Sequence, residues 1–63
     1  MTKAHATVHE GHKVGDRVYH YRDDSLVGTI LIVEENMLSC MVEWDHMLGH
    51  GLDFQWSNKL RIL

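Results

Sequence analysis

Between Leu38 and Asp45 the chain alternates without a break: Leu38, Cys40, Val42 and Trp44 fall on one side, Ser39, Met41, Glu43 and Asp45 on the other. Successive side chains of an extended strand point to opposite faces, so this period of two predicts an antiparallel strand with one face on a core. A helix, with its period of 3.6, would scatter the same apolar set around its surface. The period recurs at Leu52, Phe54 and Trp56, which alternate with Asp53, Gln55 and Ser57 and predict a second such strand.

Shorter signals fill in the rest. A strand is expected over Arg17 to Arg22, introduced by the Gly15-Asp16 turn, and another over about Val27 to Glu35. Within the latter, Ile30-Leu31-Ile32-Val33 is apolar on both faces, which suits a strand bent across a barrel. Gly28, near its start, predicts a bulge or a close backbone approach. Asp23-Asp24-Ser25 and Glu35-Asn36 read as turns, and Asp45 to Gly51 as a loop. Ser57-Asn58-Lys59 reads as one helical turn before a closing strand, Leu60 to Ile62. The expectation is an all-β fold, a five-stranded SH3-like barrel over residues 13–63. The polar stretch 1–12, with little to bury, is expected to be a flexible tail.

A chain of 63 residues makes a single domain with a small core. Its net charge is −3, and its six Lys and Arg are scattered. Affinity for nucleic acid rests on neutralising phosphates with a basic footprint, so this balance disfavours that partner. Cys40 is the single cysteine. No intrachain disulfide can form, and a reducing, cytoplasmic compartment is expected. No apolar run approaches the ~20 residues that span a bilayer, and Met1 to His12 lacks an apolar signal segment. No membrane partner is expected.

Taken in order, Lys13-Val14-Gly15-Asp16-Arg17-Val18, Val27-Gly28-Thr29-Ile30, Met41-Val42-Glu43-Trp44-Asp45 and Leu60-Arg61-Ile62 resemble the strand grammar of SH3-like barrels. Tudor-like, KOW-type and Mind-bomb/Herc-type modules share it, as do the photosystem I reaction-centre subunit IV family and the nitrile hydratase β-subunit. The resemblance covers about 50 residues and implies the fold, not an activity. Gly15-Asp16-Arg17-Val18 is also similar to the opening of the type II dihydrofolate reductases, tetramers with an active pore. Leu52-Asp53-Phe54-Gln55 stands where that pore motif would lie, and Tyr19-His20-Tyr21 replaces its basic stretch, so the catalytic groups are missing.

The candidate sites are therefore binding surfaces. Cys40, Trp44 and Trp56 alternate with core positions and read as buried packing. Tudor-like modules cage cations on aromatics at strand ends, a role the core spacing of Trp44 and Trp56 does not suit; Tyr19 and Tyr21 share the outward face of the first strand. Met41 points outward, and Met37, Met47 and Leu48 occupy turns where polar residues are usual. Flexible, exposed methionine suits an adaptable interface. Tyr19, Tyr21, Met37, Met41, Met47 and Leu48 are the expected interaction surface of a small, non-catalytic module for protein–protein interaction or homo-oligomerisation. The alternative is a nucleic-acid-binding barrel of the KOW or Tudor-like kind, using Arg17, Arg22, Lys59 and Arg61. A reductase-like oligomeric enzyme is a remote third. His5, His9 and His12, or Asp45 with His46 and His50, are possible metal ligands by type. Neither set has the scaffold a zinc site needs, so no metal or cofactor is expected.

Overall fold

A computed structural model describes residues 12–63. Its strands are β1 (Arg17–His20), β2 (Asp23–Glu34), β3 (Ser39–Trp44), β4 (Asp53–Trp56) and β5 (Leu60–Ile62). Single 3-10 turns, Glu35–Met37, Asp45–Met47 and Ser57–Lys59, follow β2, β3 and β4. All neighbours pair antiparallel in one sheet of order β4-β3-β2-β1-β5. β4 and β5 are its two edges, and the sheet is not closed into a barrel.

β2 is the longest strand and crosses the sheet's centre, pairing with β1 along one edge and β3 along the other. It begins at Asp23, so the polar triplet Asp23-Asp24-Ser25 expected as a turn lies inside the strand, and the chain reverses at Tyr21-Arg22 instead. Local hydrogen bonds flank the reversal. The Asp23 carboxylate accepts from the Ser25 amide and hydroxyl at 3.0 and 2.6 Å, and the Arg22 amide donates to His20 Nδ1 at 3.1 Å. Asp23 is thereby held below the usual carboxylate range, the Ser25 hydroxyl being the largest cause.

Two devices set the sheet's geometry. Gly28 sits between Val18 on β1 and Trp44 on β3. A Cβ there would come within 2.7 Å of the Glu43 carbonyl oxygen and 2.8 Å of a Val42 methyl, so the close approach anticipated for Gly28 is real. Further along, Ile30 opposes Val42 but Ile32 opposes Met41, which leaves Leu31 as an extra, unpaired residue. A one-residue insertion reverses which faces the following residues occupy. Val33, opposite Cys40, therefore turns to the core, while Leu31 and Ile32 are both exposed.

Ahead of β1, the Lys13–Asp16 turn is closed by the Asp16 amide on the Lys13 carbonyl and by the Lys13 amide on the Asp16 carboxylate. It is stapled to the sheet by the Gly15 amide on Ile30 O (2.7 Å) and the Ile30 amide on Asp16 O (3.0 Å). Gly15 adopts φ 94°, a left-handed conformation that glycine takes without steric cost.

The core is Val18, Ile30, Cys40, Val42, Trp44 and Leu60, with Leu26 and Val33 packed against it. Several residues depart from expectation, among them Leu38, placed on the core side with Cys40 but half exposed in the turn before β3. His12, assigned to the tail, is buried, its Nε2 3.3 Å from the Leu60 carbonyl oxygen. Trp56, assigned to the core, is half exposed. Among the described residues no helix is long and apolar enough to cross a membrane.

Candidate functional site

The position of Trp56 follows from the β3–β4 register. Val42 opposes Asp53 and Cys40 opposes Gln55, so the polar residues of β4 take the core-facing side. They are held there: the Trp44 indole Nε1 donates to Asp53 Oδ2 at 2.7 Å and Gln55 Nε2 to the same oxygen at 3.0 Å. A buried indole needs an acceptor, and Asp53 supplies it. The apolar side of β4 is thereby turned outward.

Across the outer face, Ile32 opposes Met41 and Met41 opposes Phe54; one step along, Glu34 opposes Ser39 and Ser39 opposes Trp56. Directly opposed residues share a face, so Ile32, Met41 and Phe54 form a continuous apolar row over three strands. Phe54 and Trp56 extend it in an edge-to-face pair, centroids 4.9 Å apart at 86°. Ile32 is 49% exposed, Phe54 42% and Trp56 48%. Beside Trp56 an open groove of about 450 Å³ is lined by Met37, Leu38, Asn58 and Lys59. Leu38 holds φ 54°, ψ 44°, a left-handed conformation costly for a residue with a branched Cγ and rarely kept away from turns and functional surfaces. Its backbone carbonyl accepts from the Ser57 amide at 2.7 Å, tying the groove's two walls together.

A second feature lies at the β1–β5 side. Tyr21, at the turn after β1, is surrounded by three cations: Lys59 Nζ 4.9 Å, Arg22 Cζ 5.3 Å and Arg61 Cζ 5.5 Å from the ring centroid. Arg22 Nε donates to the Tyr21 hydroxyl at 2.7 Å and Lys59 Nζ at 3.5 Å. The Arg22 bond, then that of Lys59, lowers the Tyr21 phenol from its ordinary pKa. The Tyr21 amide donates to Lys59 O at 2.9 Å, which fixes the turn against the 3-10 turn that carries Lys59.

The remaining predicted cation is elsewhere. Arg17 makes a bidentate pair with Asp45, at 2.7 and 2.6 Å, and donates to Thr29 Oγ1 at 2.9 Å. This hydrogen bonding holds the Asp45 carboxyl below its usual range.

The expected interaction residues are thus divided. Met37 and Met41 belong to the outer face with Phe54 and Trp56. Tyr21 sits in the cationic cluster, and Tyr19, half buried on β1, opposes Arg61 on β5. Met47 and Leu48 are exposed at the opposite end of β3 from Met37. Of the nucleic-acid candidates, Arg22, Lys59 and Arg61 converge while Arg17 is paired. Ile32, Phe54 and Trp56 were not anticipated as surface, because their alternation gives a period but not the direction in which it faces. Cys40 is buried 3.6 Å from Ser57 Oγ, and burial pushes its thiol pKa up, away from thiolate chemistry. Among the described residues no three His, Cys, Asp or Glu are grouped to hold a metal; His5 and His9 lie outside them. Compared with protein-family models, curated proteins and solved structures, the chain has no match.

Proposed function

We propose that this chain is a small, non-catalytic binding module on an open SH3-like barrel scaffold, and that it pairs with a second copy of itself through the outer face of β2, β3 and β4. The barrel reading draws support from the β4-β3-β2-β1-β5 order, the bulged central β2 and the 3-10 turn before β5. The observation that carries the function is the continuous apolar row of Ile32, Met41, Phe54 and Trp56.

Area favours a second copy as the occupant. An aromatic side chain offers about 150–250 Å², and roughly half of Phe54 and Trp56 is bare. With Ile32, Met37 and Leu38 the face offers on the order of 500 Å² per copy, so a two-fold pair buries about 1,000 Å², the lower bound of a specific interface. A two-fold axis lets each copy cover the other's patch with the same residues and closes the assembly. The gain is largest for a domain this small, whose own core is limited.

Sedimentation equilibrium of the full chain tests the reading. A dimer is expected at micromolar to ~1 mM concentration, shifting to monomer in Phe54→Ser while the far-ultraviolet spectrum is kept. A wild-type chain that stays monomeric at ~1 mM, or a Phe54→Ser variant that dimerises as well as wild type, overturns it.

A further inference from the structure

Three positive charges around one ring call for a counter-charge. Among the described residues the single ion pair is Arg17–Asp45, so Arg22, Lys59 and Arg61 have no carboxylate of their own there. Their nearest recorded acceptors are the Tyr21 hydroxyl and the Asn58 and Leu60 carbonyl oxygens. All of these are neutral groups, and Asp23 and Asp24, next to Arg22 in the chain, form no ion pair with the cluster. On a chain of net charge −3, the local concentration of positive charge at Tyr21 is the exception to the overall balance.

We infer that the Tyr21–Arg22–Lys59–Arg61 cluster is a binding site for single-stranded nucleic acid, in which the three cations take phosphates and the flat groups take bases. Two guanidiniums and one ammonium around a common centre match the several oxygens of successive phosphates, the guanidiniums in bidentate fashion. Tyr21 remains 37% exposed, and Arg22 is exposed beside it. Aromatic and guanidinium planes are the surfaces on which unpaired bases stack. An acidic peptide would meet the charge but leave these flat faces unused, and a duplex keeps its bases stacked away from them. The site is separate from the self-association face: Tyr21, Arg22 and Arg61 line no part of the Trp56 groove, and only Lys59 borders both.

The experiment is a fluorescence-anisotropy titration of the full chain against a labelled single-stranded oligonucleotide of about 12 nucleotides, at ~50 mM salt and upward. Neutralising three phosphates predicts a slope of log K against log salt of about −2, or roughly a twentyfold loss between 50 and 200 mM. Arg22→Gln and Lys59→Gln are each expected to weaken binding and to make the slope shallower by about 0.7. Lys59→Arg should retain it, and Tyr21→Phe should bind better than Tyr21→Ala, since the ring and not the hydroxyl is used. Absence of binding at ~50 mM salt overturns the inference. So does an acidic peptide of equal charge that competes as well as unlabelled oligonucleotide, or charge variants whose salt slopes equal that of wild type.

Discussion

Gly28 is where one atom decides whether the sheet assembles. It is paired on both sides, and the contacts a Cβ would make are with β3: the Glu43 backbone oxygen as well as Val42 and Trp44. A side-chain tip yields easily, whereas the Glu43 carbonyl belongs to a hydrogen-bonded ladder. Gly28→Ala is therefore expected to destabilise by about 1–3 kcal/mol, the usual cost of overpacking, read from urea unfolding midpoints at unchanged m-value. Gly15 differs in kind: nothing lies near its missing Cβ, and glycine is used there for its φ alone. The sequence marks both glycines, but the physical demand at each becomes visible only when the neighbouring strands are in place.

At the scale of elements, Arg17 connects the start of β1 to the 3-10 turn after β3, 28 residues away, and to Thr29 on β2. Both partners are about half exposed, so the pair is screened and orients more than it stabilises. Its effect has a defined sign. Asp45 titrates below its unfolded value, chiefly because Arg17 donates hydrogen bonds to it. The stability it contributes is complete above the unfolded carboxylate pKa of ~3.9 and is lost as pH falls through the lower folded value. Asp45→Asn should flatten the fall in Tm between about pH 5 and pH 2 and leave the neutral-pH curve's shape unchanged, as followed by circular dichroism. If wild type and variant fall in parallel on acidification, the pair has no part in acid stability. The same scale explains the run Ile30 to Val33. Read alone it is apolar on both faces; with Leu31 bulged out, Ile30 and Val33 serve the core, and Leu31 and Ile32 are left to the surface.

At the scale of the molecule, a core of six buried apolar residues among the described residues is combined with an outer face bearing two half-exposed aromatics. A chain that gains burial by pairing has a stability tied to its own concentration. Its Tm should rise by several degrees as protein concentration increases a hundredfold, and Phe54→Ser should abolish that dependence. A Tm independent of concentration in wild type would mean that the outer face stays uncovered. Calorimetry across that range provides the measurement.

Local alternation was enough to place β3 and β4, since the period of two belongs to the extended backbone itself and needs no partner to be read. From Leu38 to Asp45 and from Leu52 to Trp56 it located β3 and β4 to within about one residue. It could not say which face of β4 turns inward, because that depends on a register set between strands, where a slip of one residue exchanges the faces. The Trp44–Asp53 bond and the Leu31 bulge settle that register, and with it the exposure of Ile32, Phe54 and Trp56. Likewise Arg22 and Lys59 are scattered bases in the chain and become neighbours through the pairing of β1 with β5. Strand period is local and was legible. The direction of a face and the company a charge keeps are set by contacts between distant residues, and only the tertiary structure decided them.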